Sequence, residues 1–168
     1  MFLLDLCIAF AGLWLDQFPK GLAVTHLKGA PAIVLIPGVL ELRYLENRGA
    51  AFGFLQNQKA FFVIMTCLVL ALLLYALWRM PASPRYRLFH MMGGVLIAGA
   101  LGNFLDRLRL DYVVDFIYIS LIDFPVFNVA DMYISGICAL GLVIVFFGHM
   151  EEKDFAFLLP GKKKQVEE

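Results

Sequence analysis

Cysteine and histidine are too scarce and too scattered in this sequence to build a metal site or a disulfide framework. No two cysteines have the CxxC spacing that zinc and redox sites use. The histidines lie near the ends of apolar runs and do not cluster, which predicts interfacial side chains without bound metal. The residues concerned are Cys7, Cys67, Cys138, His26, His90 and His149.

Net charge is also missing, because 14 basic side chains are balanced by 14 acidic ones. A neutral chain has no global attraction for nucleic acid. Basic residues are absent before the first apolar run as well, and Asp16-Gln17 follows where a signal peptide would have a small-residue cleavage site. We therefore predict a retained first membrane span and not a cleaved signal peptide.

What the sequence does contain is long apolar runs. Hydrophobic residues make up 61% of the chain, and the mean hydropathy is +0.79, well above a soluble domain. A membrane helix needs roughly 20 apolar residues. Four runs meet that length, so we predict an all-α membrane protein with four transmembrane helices in one domain, residues 1–168. The spans are predicted at about 2–24, 61–78, 89–106 and 126–147.

The loop at 26–59 has a different character from the spans. Gly29, Pro31, Pro37 and Gly38 break up any helix. The stretch at 33–36 and the partly alternating one at 40–45 are typical of strands. The apolar segment at 49–54 follows, and we expect it to face membrane or substrate.

Basic residues indicate the orientation. Arg79, Arg85 and Arg87 lie in a short loop without acidic residues, which is typical of a cytoplasmic loop. A lysine run at 162–164 in the tail, 149–168, agrees. Both termini are then cytoplasmic, and a set of polar residues falls towards the outer membrane face. These are Asp16, Asn47, Asn103, Asp106, Arg107, Asp115, Asn128 and Asp131.

Two of these residues, Asp115 and Asp131, are carboxylates embedded in apolar sequence on either side of a short irregular segment. Carboxylates at a membrane are costly and usually functional. A close pair shares one proton. The ionised member can take a proton from water, while the protonated member polarises a peptide carbonyl. Asn128, one helical turn before Asp131, is placed to cap the helix or to donate to a carboxylate.

Two other interpretations fit the same spacing. In one, the carboxylates are interfacial and are paired with Arg107 or Arg109. In the other, Asp16, Asp106 and Asp131 are relay groups of a proton- or cation-coupled carrier. Carriers place polar groups near the membrane midplane and often have repeated halves, and the sequence has no repeat.

Five segments together resemble the bacterial lipoprotein signal peptidases (signal peptidase II). Any one alone would be a weak signal, but their order and the four predicted spans make the resemblance specific. It extends from about residue 2 to 150. The segments are Asp16-Gln17 with Lys20, residues 47–52 (Asn-Arg-Gly-Ala-Ala-Phe), residues 99–103 with Asp106-Arg107, residues 113–117 (Val-Val-Asp-Phe-Ile) and residues 127–131 (Phe-Asn-Val-Ala-Asp).

The resemblance implies an intramembrane aspartic endopeptidase of the bacterial cytoplasmic membrane. Its substrates would be diacylglyceryl-modified prolipoproteins, cut just before the lipidated cysteine, without metal or cofactor. It implies that Asp115 and Asp131 are the catalytic dyad and that the enzyme is a monomer. A homologue that binds lipoproteins without cutting them would have the same fold. Supporting or substrate-binding roles are implied for Asp16, Lys20, Asn47, Gly49, Asn103, Asp106, Arg107 and Asn128.

The resemblance also implies that the loop at 26–59 forms a small extracytoplasmic β-cradle between helices 1 and 2, resting on the outer leaflet. The sequence departs from the family pattern at Pro19, because Thr or Ser usually precedes the lysine in the family. Proline in a helix removes a hydrogen bond and bends the backbone. We therefore expect a kinked or loosened first helix and a displaced Lys20.

Overall fold

A computed structural model describes residues 1–49, 55–148 and 152–158, and the architecture below refers to those residues. Of the predicted apolar segment at 49–54, only Gly49 lies within them, and of the predicted tail only 152–158. The elements in order are α1 (Phe2–His26), β1 (Ile33–Ile36), β2 (Leu40–Asn47), α2 (Lys59–Arg79), α3 (Arg87–Leu110), β3 (Val113–Ile119) and α4 (Val129–Phe147). Short 3-10 helices occupy Pro84–Tyr86, Ser120–Ile122 and Glu152–Leu158.

Three helical stretches are long and apolar enough to cross a membrane: Lys59–Arg79, Pro84–Leu110 and Val129–Phe147. Large apolar side chains face outwards from them, such as Trp78 and Phe146, as expected of a membrane-embedded protein. The predicted spans at 61–78 and 89–106 fall inside these helices. The fourth was predicted to start at 126, but α4 begins at Val129. That α1 also crosses the membrane stays a prediction.

The first helix passes through Pro19 without interruption and ends at His26. Pro19 therefore does not end the helix, and the expected kink or loosening stays a prediction. Packing overrides the local cost of proline, because buried Asp16 and Lys20 attach this part of α1 to the helices around it.

The central element is α3, which packs against α1, α2 and α4. Small residues on α3, including Ala98 and Gly102, are buried against these neighbours. Small residues are required here because the neighbours come so close. A Cβ at Gly99 would lie 2.9 Å from the backbone oxygen of Ala130, and one at Gly102 would collide with the Asp16 carboxylate.

The sheet has three antiparallel strands in the order β1-β2-β3. The two strands between α1 and α2 were predicted at 33–36 and 40–45. The third was missed, because β3 follows α3, so the sheet is not confined to the loop between helices 1 and 2. Its first four residues are buried, and strands buried on both faces have no alternating pattern.

Phe127 brings the start of α4 back to β3. Its N–H donates to the Ile117 carbonyl at 2.9 Å, and its own carbonyl accepts from Ile117 at 2.8 Å and Phe116 at 3.0 Å. This bridge places Asn128 beside the strand that carries Asp115. The sheet rests on the end of α1, where Ala23 and Leu27 pack with buried residues of β3.

His90 is buried within the protein, with only 2% of it exposed, and its predicted place at the membrane interface stays a prediction. Its Nδ1 lies 2.8 Å from the Asp5 carboxylate and its Nε2 lies 3.4 Å from the Pro81 carbonyl. A buried charged group must be paired. No acidic residue is close to His90 in the sequence. Its partner Asp5 is 85 residues away, so the pair could not be identified from the sequence.

Candidate active site

The polar residues singled out in the sequence come together between the C-terminal parts of α1 and α3, β3 and the start of α4. They form two layers. The outer layer borders a cavity and contains Asn47, Gly49, Asn103, Arg107, Asp115 and Asp131. The inner layer, called here the inner cluster, consists of Asp16, Lys20 and Asp106 and is almost completely buried. Asn128 joins the layers and has no exposed surface.

Asp115 lies on β3 and is 1% exposed. One carboxylate oxygen accepts a hydrogen bond of 2.6 Å from the Asn128 amide, and the other accepts one of 2.8 Å from the Asn47 amide. Asn47 ends β2, and its partner in the β2–β3 register is Val113, two residues from Asp115. The pairing of β2 with β3 therefore places the Asn47 amide within hydrogen-bond distance of the Asp115 carboxylate.

Asp131 lies in the first turn of α4, in a reciprocal cap with Asn128. The Asn128 side-chain oxygen accepts from the Asp131 N–H, and the Asp131 carboxylate accepts from the Asn128 N–H, both at 3.1 Å. The predicted cap is confirmed. Asn128 also donates to a carboxylate as predicted, but that carboxylate belongs to Asp115. The partly positive helix start favours a negative charge on Asp131.

Asn103 connects the pair to the inner cluster. Its amide nitrogen donates to Asp131 at 2.8 Å. Its amide oxygen accepts from Lys20 at 3.0 Å and from the Asn128 amide at 3.1 Å. Because both donors bond to the amide oxygen of Asn103, they fix the amide in the orientation that directs its nitrogen towards Asp131.

Lys20 is held between two carboxylates, at 2.8 Å from Asp16 and 3.0 Å from Asp106. The predicted pairing of Asp16 with Lys20 is confirmed. Despite Pro19, Lys20 reaches both carboxylates, and these ion pairs fix its ammonium group. Asp16 also accepts from the Ala130 N–H at 2.8 Å, which ties α1 to the start of α4.

Arg107 reaches from α3 towards the cavity. It donates to the Gly49 carbonyl at 3.2 Å, and its guanidinium lies over the Phe62 ring at 4.5 Å from the centroid. A cation over an aromatic face is stabilised by the ring quadrupole. Arg107 therefore links Gly49, which follows β2, to Phe62 on α2 at the edge of the cavity.

Asp115 and Asp131 draw their hydrogen bonds from asparagines. Within residues 1–49, 55–148 and 152–158, neither Arg107 nor Arg109 donates to either carboxylate. An arginine-paired interface therefore has no hydrogen bond to support it among these residues, and Arg107 acts on the two carboxylates through its charge alone. The same residues contain no group of three or more His, Cys, Asp or Glu side chains suited to a metal ion.

Burial raises the pKa of the Asp115 carboxyl to about 7, and the nearby Asp131 carboxylate contributes to the rise. The amides of Asn47 and Asn128 oppose it by stabilising the ionised form. Near neutral pH, Asp115 can thus carry or release a proton.

The cavity beside the two carboxylates has a volume of about 550 Å³. Apart from the polar groups of the outer layer, its wall is mostly apolar and is drawn from α2, β3, α4 and the segment between β3 and α4. These apolar residues are Phe62, Val113, Phe124, Pro125, Val126, Phe127, Met132 and Ile134. An apolar cavity with a few convergent polar groups is the usual form of a ligand site.

Two residues in contact with this site had no assigned role in the sequence interpretation. The Phe62 ring lies under the Arg107 guanidinium, and the Gln17 amide donates to Asp16 and Asp106. Gln17 stands next to Asp16 in the sequence, and that adjacency was the available signal. Phe62 is one of 16 phenylalanines, and only the fold distinguishes it.

Comparison with known proteins gives consistent matches over most of the chain. A family model described as signal peptidase (SPase) II matches residues 8–147. A lipoprotein signal peptidase of Streptococcus pyogenes serotype M1 is 38% identical over 156 residues, covering 92% of this chain and 96% of the relative. The serotype M3 (strain SSI-1) relative is 37% identical over the same coverage.

Two solved structures have a similar fold. Both are described as bacterial membrane enzymes solved by the in meso method. The first, at 2.3 Å resolution, has a TM-score of 0.74 and 32% identity, covering 95% of this chain and 94% of the other. The second, at 1.9 Å resolution, has a TM-score of 0.73 and 33% identity, covering 87% of this chain and 94% of the other.

Proposed function

This chain belongs to the signal peptidase II family, and on that basis we propose that it removes signal peptides from prolipoproteins by an aspartic mechanism. The observation that carries the aspartic assignment is the pair Asp115 and Asp131 beside an apolar cavity, each held by asparagine amides. We propose these two as the catalytic dyad.

We infer different roles for the two carboxylates because Asp131, unlike Asp115, lies at a helix start. Asp131 accepts two N–H donors at a helix start, and this favours its ionised form. Asp115 is buried beside that charge, and its raised pKa keeps it protonated below about pH 7. In the proposed resting state Asp131 is the base and Asp115 is the acid.

Hydrolysis then needs only water and the dyad. Asp131 takes a proton from water as the water oxygen attacks the peptide carbonyl carbon, and the Asp115 proton bonds to the carbonyl oxygen as it becomes tetrahedral. Collapse of the intermediate breaks the carbon–nitrogen bond. Asp131 gives its proton to the leaving nitrogen, and Asp115 takes a proton back from a hydroxyl of the intermediate as the carbonyl re-forms. The products are a new carboxyl group and a new amine, and the dyad again holds one proton.

We propose that the substrates carry a diacylglyceryl-modified cysteine, and that cleavage occurs just before it. Each buried CH₂ contributes about 0.8 kcal/mol to membrane anchoring, so such a substrate stays in the bilayer. The mostly apolar wall of the cavity, with Phe62 and Met132 among its residues, suits that environment.

We further propose that α1 is the fourth membrane span and that the dyad lies towards the outer face of the bacterial cytoplasmic membrane. The basic loop with Arg79 and Arg85 follows α2 at the end opposite the sheet, as a cytoplasmic loop would. Both termini are then cytoplasmic. The four residues of β1 are apolar and exposed, as are Leu121 and Ile122, which supports a sheet that rests on outer-leaflet lipid. The proposed enzyme acts as a monomer.

The test is cleavage of matched substrates by purified protein in lipid. One substrate is a prolipoprotein with a diacylglyceryl-cysteine, and its twin is unmodified. We expect cleavage of the lipidated form alone, with a new N-terminal cysteine shown by mass spectrometry. Equal cleavage of both forms would refute the lipid requirement, and binding without cleavage would indicate a non-catalytic homologue.

The raised pKa of Asp115 predicts the pH dependence of the reaction. The acid form is required, so kcat/KM should fall as pH rises through about 7, by about tenfold per pH unit beyond the transition. Initial rates between pH 5.5 and 9 in a constant-ionic-strength buffer would measure it. A rate that stays constant to pH 9 would contradict the assignment of Asp115 as the acid.

A further inference from the structure

Gln17 occupies an unusual place between two buried carboxylates. Its amide nitrogen lies 3.1 Å from an Asp16 oxygen, 3.0 Å from an Asp106 oxygen and 3.2 Å from the Gly102 carbonyl. One amide group thus contacts both acidic members of the inner cluster and the backbone of α3.

Every oxygen of these two carboxylates has a donor. Those of Asp16 accept from the Ala130 N–H, Lys20 and Gln17. One Asp106 oxygen accepts from Lys20 and the Val114 N–H, and the other accepts from Gln17. Among the described residues, only Gln17 donates to this second Asp106 oxygen. A buried carboxylate oxygen without a donor is costly.

The inner cluster is connected to the dyad through Lys20. Its ammonium group bonds to the Asn103 amide oxygen, which leaves the amide nitrogen to donate to Asp131. Without the Gln17 donor, Asp106 would compete more strongly for Lys20. The Asn103 amide would then be less well fixed, and Asp131 would lose part of the support for its negative charge.

We propose that Gln17 is a positioning residue for the reaction: it satisfies Asp106, holds Lys20 on Asn103 and so keeps the amide of Asn103 directed at Asp131. This inference rests on the proposed function of the dyad. Charged groups from every adjoining element act on Asp131. They are Asp16 and Lys20 from α1, Arg107 from α3 and Asp115 from β3. Asp106 of α3 pairs with Lys20.

The experiment compares Gln17→Met, which keeps the length and loses the amide, with Gln17→Glu. In Gln17→Met we expect kcat on the lipidated substrate to fall about three- to tenfold, the usual effect of one hydrogen bond, with KM within about twofold. At low pH, where activity rises as Asp131 ionises, this rise should move to higher pH. Asp131 is harder to ionise when its negative charge is less well stabilised by hydrogen bonds. Gln17→Glu should approach wild-type kcat only at acidic pH, where a protonated Glu can donate.

Thr25→Val is the matched control, because it removes an exposed hydrogen bond from the same helix without touching the inner cluster. Unchanged kcat and an unchanged pH profile in Gln17→Met would overturn the proposal, even if the unfolding temperature fell. A second readout does not depend on cleavage: infrared titration of the carboxyl band that Asp131→Asn removes. Its midpoint should rise in Gln17→Met. An unmoved midpoint would overturn the positioning role, whereas failure of wild type to cleave would overturn the proposed function alone.

Discussion

Replacing either Asp115 or Asp131 with Asn is expected to abolish cleavage of the lipidated substrate, with kcat/KM reduced by about 10²- to 10⁴-fold. Asparagine has nearly the same shape as aspartate but can neither accept a proton from water nor deliver one. Each variant removes one of the two proton-transfer groups, so the losses should not add in the double variant.

Single-turnover cleavage followed by gel shift would measure the effect, and Asp123→Asn is the matched control. Asp123 is an exposed acid between β3 and α4 whose carboxylate accepts from the Tyr118 hydroxyl, outside the cavity. The control should keep wild-type activity. If either Asp115→Asn or Asp131→Asn retained more than about a tenth of wild-type activity while folded, that residue could not be the proposed acid or base.

Asn128→Ala should give the second-largest effect, because one side chain performs two tasks. It caps α4 through the Asp131 N–H and donates to Asp115 at 2.6 Å. Loss of a cap costs about 0.5–2 kcal/mol of stability. Loss of a hydrogen bond to a charged group costs about 1.5–3 kcal/mol, and we expect kcat/KM to fall by about 10- to 100-fold.

Asn128→Ser separates the two tasks. Serine is a good cap, but its hydroxyl is too short to span the distance to Asp115 while capping Asp131. The unfolding temperature should therefore recover only the part that the cap contributes, about 0.5–2 kcal/mol of stability, whereas kcat/KM should stay as low as in Asn128→Ala. Recovery of both quantities together would show that Asn128 acts through helix stability and not through Asp115.

Features of the site that depend on local spacing could be predicted from the sequence. Asn128 and Asp131 are three residues apart, the separation of a helix cap and its partner, and Asp16 and Lys20 are one helical turn apart. The apolar length of the runs likewise predicted helices where α2, α3 and α4 lie. Each of these rests on the geometry of one helix, which the chain determines locally.

The identity of the two carboxylates required more than spacing. Taken alone, the residues left the dyad, an arginine-paired interface and a carrier open. The order of five segments resembled one family, and the family match then placed the chain in it. Resemblance supplied the lipidated substrate, which no residue spacing encodes.

Tertiary structure alone decided which polar groups meet. The third strand was missed because a buried strand has no alternating pattern, and with it the route by which Asn47 reaches Asp115 across the β2–β3 register. The same holds for His90 with Asp5 and for Gln17 with Asp106, which are 85 and 89 residues apart. The sequence by itself determined the helices, the α4 cap and the family. The partners across the fold were decided by packing, because contacts between distant segments depend on how whole helices and strands dock and not on their local spacing.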